Sequence, residues 1–310
     1  MLINTVLVLL QSLLPIFLVV SLLLALQRQN LLTRSANTGD ETIAKQTEQV
    51  SHLDDLSVIS AAKLTNSITL ANVINTSFFA FIIVCLLSYY MPSLSQLFTG
   101  NGLEIIFSIL FGLIYGFIIL AFLISQKPLI NRHKDSRVTW QNSLINIAIL
   151  LLVFSVHGSY FSFYLKSLTT QSMSITPFYA GIVMGIIIGT GICLSIAILL
   201  YFFLMTVDKK PTSKVASYLL LLFGVGQLMQ GLQLLEQVDI IASNSHLWST
   251  SYLISEDSEL GYFLTILFGY EATPSAMELA VYISAILLPL SVGKFITYKH
   301  HHATLTNGTE

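Results

Sequence analysis

Residues 246–282 read HLWSTSYLISEDSELGYFLTILFGYEATPSAMELAVY. It contains no lysine or arginine, and the acidic residues of its polar part are Glu256, Asp257, Glu259 and Glu271. Pro274 stands shortly before the apolar run 279–292, and proline is favoured at a helix start because its missing N–H would be unpaired there. The stretch predicts an acidic loop on the rim of an apolar protein, followed by a return into the membrane.

The charge of this loop suggests a first functional hypothesis. Negative charge at a membrane mouth concentrates cations, so the loop favours a cation pathway. The alternative is a solvated acidic loop that binds nothing.

The composition places most of the chain in lipid. Hydrophobic residues make up 54% and charged residues 10% of the sequence, and the mean hydropathy is +0.77. Soluble domains carry about 25% charged residues, so this chain must largely contact lipid. The net charge of -2 gives no reason to expect nucleic-acid binding.

Seven apolar runs are each close to the ~20 residues that a helix needs to cross ~30 Å of hydrocarbon. They are 6–26, 70–91, 103–124, 144–165, 178–207, 215–235 and 277–296. The predicted fold class is an all-α integral membrane bundle of about seven transmembrane helices, forming one domain over residues 1–299. Gly181, Gly185 and Gly189 place small residues on one face of the fifth run, which predicts close helix packing.

The loop charges predict the orientation. Lysine and arginine accumulate in 27–69, 126–141, 208–214 and after the last run, whereas the opposite loops contain only Lys166. Positive loops are cytoplasmic, so the N-terminus is expected outside and the C-terminus in the cytoplasm. The acidic loop then faces outside.

Two polar segments lie on the cytoplasmic side of this arrangement. Residues 27–69 are rich in serine, threonine, glutamine and aspartate, which predicts a flexible or loosely helical loop without a core of its own. Residues 300–310 begin with His300, His301 and His302 and are interpreted as a polar cytoplasmic tail rather than a metal site.

The strings LWSTSYLISEDSELG, FGYEATPS and ELAVY resemble the C-terminal signature of the Ftr-type high-affinity iron permeases, the fungal oxidase-coupled permeases and their bacterial relatives. The family usually has aspartate after the tryptophan, where this chain has Ser249 after Trp248. The resemblance implies a seven-span protein of the bacterial cytoplasmic membrane that imports iron in its ferric form. It also implies an extracytoplasmic oxidase or metal-delivery protein as a partner.

Ionisable residues inside a span are costly and are therefore functional candidates. His157 is the only histidine deep in a run, and its alternative role is a hydrogen bond to a backbone carbonyl or to Ser155, Ser159 or Tyr160. A lone histidine argues against a haem held by two histidines, and no cofactor is predicted.

The sixth run carries a polar row, Gln227, Gln230, Gln233 and Glu236. Residues three apart are neighbours on a helix surface, so the row predicts a polar seam or bonds to adjacent helices. Glu236 lies near the outer end, where a place at the water interface is the alternative.

Two further glutamates, Glu104 and Glu278, stand in the first turn of a predicted helix. The helix dipole favours a carboxylate there, which is the simpler interpretation. The alternative makes them oxygen ligands, which suit a hard cation such as ferric iron. The predicted metal ligands are Glu104, His157, Glu236, Asp257 and Glu278.

The family's central motif is missing. Ftr-type permeases share two Arg-Glu-Gly-Leu-Glu motifs, in the first and fourth spans, whose glutamates are taken to pass iron. The matching positions here read QSLLP at 11–15 and VHGSY at 156–160, so only Leu14 and Gly158 agree.

Two function classes remain after this comparison. One is an iron permease of the Ftr type with substituted ligands, and the other is a transport-inactive family member that serves as a partner or assembly subunit of a metal-uptake complex. An enzyme is not expected, because no nucleophile–base pair or metal-ligand cluster is present in the sequence.

Overall fold

The computed structural model describes residues 2–43, 54–126, 136–171, 176–207, 214–241, 246–255 and 258–306. Within these ranges the chain forms eight α-helices and a 3-10 turn, Phe98–Gly100. The helices are α1 (Leu2–Ile43), α2 (Asp54–Ser95), α3 (Gly102–Gln126), α4 (Ser136–Gln171), α5 (Thr176–Val207), α6 (Val215–Gln237), α7 (Glu259–Phe268) and α8 (Ala276–Thr306).

Seven of these helices are long and apolar enough to cross a membrane, as the apolar runs predict. The candidate spans are Thr5–Arg28, Ile74–Ser95, Gly102–Gln126, Gln141–Ser167, Gly181–Val207, Val215–Gln237 and Ala276–Ile296. Helix α7 is the exception, because its ten residues reach only about 15 Å at 1.5 Å per residue.

The polar segments are more helical than the sequence predicts. Helix α1 continues to Ile43 and α2 begins at Asp54, so helix replaces much of the expected loop 27–69. Extending a helix that has already formed is far easier than starting one. Helix α8 likewise runs to Thr306 through most of the expected polar tail.

Helix α1 lies in the middle of the bundle and packs against α4, α5 and α6. Its fully buried side chains include Leu9, Leu18 and Leu22. A Cβ on Gly189 of α5 would lie 2.7 Å from Leu9 Cδ2, so α1 and α5 approach closely only because this residue is glycine. The packing role predicted for the glycine strip is confirmed at this position.

Helices α3 and α6 pack in an antiparallel pair. Gly224 lies against Ile118, and nearer one end the hydroxyls of Ser125 and Ser217 are 2.9 Å apart. Helix α8 runs parallel to α3, with Gly293 beside Gln126. Consequently α3 starts, α6 finishes and α8 starts at one end of the bundle, which we call the acidic end. The opposite end of these three helices is called the lysine end.

Helix α7 corrects the prediction that the part of 246–282 before the last span is a polar loop on the rim. The helix enters the bundle from the acidic end and buries Ile266 and Leu267. A Cβ on Gly226 would lie 2.8 Å from the carbonyl oxygen of Ile266 and 3.1 Å from the backbone nitrogen of Gly269. Gly226 is at the middle of α6, so α7 ends halfway through the bundle.

Local residues explain where α7 begins and ends. The Ser258 hydroxyl accepts a hydrogen bond from the Gly261 N–H at 3.0 Å, as an N-cap does. At the other end Gly269 adopts φ +68°, a left-handed conformation that glycine accepts without strain. In the apolar sequence LTILF between these caps, Ile266 and Leu267 are buried and the other three side chains are half-buried, whereas a rim loop would leave them exposed.

An extended segment leads back from Gly269 to the acidic end. It pairs with the segment after His246, because Thr250 N donates to Ala272 O at 2.8 Å and Leu247 N donates to Pro274 O at 3.0 Å. These bonds satisfy the carbonyls of Ala272 and Pro274 inside the protein, and such internal pairing is a condition for irregular backbone at membrane depth.

Candidate functional site

The predicted site residues fall into two groups. Glu104, Glu236 and Glu278 lie at the acidic end, because each stands at the corresponding end of α3, α6 or α8. His157 lies in the middle of α4, remote from this end. Asp257 is outside the residues that the structure describes.

Glu278 caps helix α8. Its Oε2 accepts a hydrogen bond from the Ser275 N–H at 2.7 Å, and the Ser275 hydroxyl accepts one from the Glu278 N–H at 3.2 Å. This reciprocal arrangement is a capping box. The capping interpretation of Glu278 is confirmed, yet its carboxylate is only 3% exposed, which is unusual for a purely local cap.

A second carboxyl group lies beside this cap. The side chain of Glu236 is close enough to Glu278 and to His246 to interact with both electrostatically. Oε1 of Glu236 is buried and has no hydrogen-bond partner among the described residues. Two adjacent carboxylates repel each other, and a shared proton or a bound cation relieves that repulsion. We call Glu236 and Glu278 the carboxyl pair.

Glu104 is at the level of the carboxyl pair but is not shown in contact with it. It stands in the first turn of α3, where the helix dipole favours its charge. Its Oε2 is buried without a partner among the described residues. Glu104 therefore places a further carboxyl group at the acidic end.

A cavity of about 310 Å³ opens beside the carboxyl pair, between α6, α7 and α8. Its walls include the aromatic side chains of Trp248, Phe268 and Tyr270 and the carboxylates of Glu271 and Glu278. The Tyr270 hydroxyl is held 2.8 Å from Thr250 Oγ1 and 3.0 Å from the carbonyl oxygen of Ile254, to which it donates. The cavity combines negative charge with aromatic rings, and we call it the acidic cavity.

His157 makes a different contact from the one predicted. Its Nε2 lies 2.8 Å from Oε1 of Gln227 on α6, and both residues are buried. Since an amide oxygen only accepts, Nε2 of His157 carries the hydrogen. The expected serine partners bond instead to their own helix, with Ser155 donating to Leu151 O and Ser159 donating to Ser155 O.

The serines and the histidine have different partners for a geometric reason. A serine hydroxyl reaches the carbonyl one turn earlier on its own helix, whereas the longer histidine ring extends toward the neighbouring helix. Gln227 is a member of the predicted polar row, and the bond to a neighbouring helix expected for that row is confirmed at this residue. Gln227 Nε2 has no partner among the described residues, so the centre of the bundle holds neutral polar groups.

The positions that match the family's motifs are also neutral. Helices α1 and α4 pack together, but neither sequence contains an acidic residue within 5–28 or 136–171. Ser12 is buried and donates to Val8 O at 2.9 Å, while Gln11 is exposed. The interface between α1 and α4 therefore offers no carboxylate to a cation.

Within the described ranges, no three histidine, cysteine, aspartate or glutamate side chains form a group that would hold a metal ion. The structure brings together two of the predicted ligands, Glu236 and Glu278, and keeps His157 apart. Sequence reasoning missed the part that Trp248 and Glu271 play in the acidic cavity. The sequence signal for this cavity was the apolar LTILF string, which is typical of a buried helix between two polar segments.

Comparisons of the chain with protein-family models, with curated proteins and with solved structures find no match.

Proposed function

We propose that this protein is an integral membrane permease that imports a metal cation, ferric iron by its resemblance to the Ftr-type permeases. The observation that carries the proposal is the carboxyl pair, in which a buried Glu236 oxygen has no hydrogen-bond partner among the described residues and lies near the buried Glu278. A buried carboxylate is stable only when charge or hydrogen bonds compensate it. A cation arriving at the acidic end supplies that compensation.

The position of α7 supports the same proposal. Discontinuous helices that end halfway across a membrane protein, followed by extended backbone, commonly build substrate sites in transporters. Here the C-terminal end of α7, the negative end of its dipole, lies beside Gly226 at mid-depth. The loop charges favour an external location for the acidic end, where an imported cation arrives.

A second function is favoured by a specific observation, the neutral pair His157–Gln227 at the centre. An uncompensated charge in a low-dielectric interior costs at least several kcal/mol. A bundle without central carboxylates is therefore suited to a transport-inactive subunit that uses the acidic cavity to bind a partner of a metal-uptake complex.

Metal uptake by cells that express this chain alone tests the permease. Saturable uptake of iron is expected, and Glu236→Leu should reduce it because the carboxyl pair is lost. No uptake above that of cells without the chain, despite normal amounts of protein in the membrane, would contradict the permease and support the partner subunit.

Two substitutions of Glu278 separate its charge from its cap. Glutamine also closes a capping box, so Glu278→Gln should reduce uptake and leave thermal stability nearly unchanged. Glu278→Ala should reduce uptake and also cost about 1 kcal/mol of stability through the lost cap. Equal uptake by the wild type and Glu278→Gln would show that the carboxylate acts only as a cap.

A further inference from the structure

A separate cavity of about 390 Å³ lies at the lysine end, between α3, α6 and α8. Phe122, Tyr218 and Leu290, one from each helix, form its apolar walls, and Gln126 and Lys294 contribute polar groups. None of the described residues that line it is acidic. Its volume is in the range that binds small ligands or parts of larger ones.

The amide of Gln126 is oriented by its neighbour. Lys214 Nζ donates a hydrogen bond to Gln126 Oε1 at 2.7 Å, and an ammonium group cannot accept. The amide oxygen must therefore face Lys214, which turns the NH₂ group away from it. That group, Gln126 Nε2, has no hydrogen-bond partner among the described residues although Gln126 is only 8% exposed.

A buried donor without a partner is costly, because it has lost its water and gained no acceptor. The described residues supply no acceptor for this donor, and the cavity that Gln126 lines has room for one. Lys294 is exposed at the same cavity and adds a positive charge. A ligand that satisfies both groups is an acceptor with negative charge, such as a phosphate.

The depth of the cavity indicates the source of that phosphate. Gln126 is the last residue of the third span, and Lys294 stands shortly before Ile296, the last residue of the seventh span. Lipid headgroups lie where apolar spans end. Below Lys294 the apolar side chains of Leu287 and Leu288 on α8 are exposed, as is expected of a surface covered by acyl chains.

We propose that this cavity binds one anionic phospholipid, with its phosphate held by Gln126 Nε2 and Lys294 and its chains against the apolar face of α8. Basic pockets between transmembrane helices on the cytoplasmic side are known to hold such headgroups. Among the described residues no acidic side chain lines the cavity, so they offer the cationic group of a zwitterionic lipid no charge partner. The inference depends on membrane insertion but not on cation transport.

The test compares lipids on the purified full chain in detergent, with retained lipid measured by native mass spectrometry. Phosphatidylglycerol should bind more tightly than phosphatidylcholine. Lys294→Gln should weaken phosphatidylglycerol binding about fivefold, the effect expected of one lysine near a lipid headgroup. Lys166→Gln, an exposed lysine on α4, is the matched control and should bind like the wild type.

Gln126→Glu tests the buried donor. Glutamate keeps a contact with Lys214 but replaces the NH₂ group by a negatively charged oxygen, so phosphatidylglycerol binding should fall further than in Lys294→Gln. Equal binding of the two lipids, or full binding by both variants, would overturn the proposal. Displacement of phosphatidylglycerol by equimolar glycerol phosphate would show a site for soluble phosphate and would also overturn it.

Discussion

At the scale of single residues, the neutral pair at the centre of the bundle connects helices that are remote in sequence. His157 and Gln227 are 70 positions apart and share one buried hydrogen bond. Both side chains are buried, and the rings of Phe111 and His157 contact each other in a T-shaped arrangement with centroids 5.8 Å apart. In such surroundings a polar group that loses its partner keeps the full cost of its desolvation.

Gln227→Leu is expected to destabilise the protein by about 1–3 kcal/mol, because it leaves the His157 N–H buried and unpaired. The double variant His157→Phe/Gln227→Leu should regain most of this loss, since both polar partners are then removed. Thermal unfolding in detergent measures the difference, and Gln237→Leu at the exposed end of α6 serves as the control. An unchanged Gln227→Leu protein would show that the bond contributes nothing to stability.

At the scale of elements, helix α7 depends on one contact with α6. The last turn of α7 lies against Gly226, with only hydrogen on the α carbon between the two backbones. Because the nearest atoms are the backbone oxygen of Ile266 and the backbone nitrogen of Gly269, no side-chain rotation relieves a clash there. Helix α7 can therefore extend this far into the bundle because residue 226 is glycine.

Gly226→Ala is expected to destabilise the protein by about 1–3 kcal/mol, the usual cost of forcing an extra carbon into a packed interior. Gly116→Ala on α3 is the matched control, because nothing lies within 4 Å of its added carbon. That variant should be neutral or more stable by up to about 1 kcal/mol, since alanine is the better helix former. If both variants unfold at the same temperature, α7 does not press against Gly226 in the membrane.

At the scale of the whole molecule, charge divides the bundle into two ends. The carboxyl pair and Glu104 stand at one end of α3, α6 and α8, and Lys214 and Lys294 stand at the other. This polarity agrees with the loop charges of the sequence, from which the lysine end is expected in the cytoplasm. Iron import and the lipid site both assume this orientation.

Cysteine labelling measures that orientation. In a variant with Cys85 and Cys193 replaced by alanine, Ser258→Cys should react with a membrane-impermeant reagent added outside intact cells. Gln141→Cys, exposed near the start of the fourth span, should react only after the cells are opened. The reverse pattern of labelling would invert the bundle and remove the argument for cation import through the acidic end.

The amino-acid sequence by itself determined the number and position of the seven candidate spans, because a helix that crosses lipid needs about 20 consecutive apolar residues whatever its neighbours are. It also determined the cap of α8, since Ser275 and Glu278 interact over three residues. Such local features depend on side chains adjacent in the chain and are visible before folding.

Only the tertiary structure decided which distant groups meet. The partner of His157, the pairing of Glu236 with Glu278 and the contact of α7 with Gly226 each join different helices. From the sequence alone, the polar row on α6 could bond to any of several neighbouring helices. The apolar LTILF string was likewise compatible with a position on the rim. The packing of the helices determines which arrangement forms, because it decides which side chains are buried against each other.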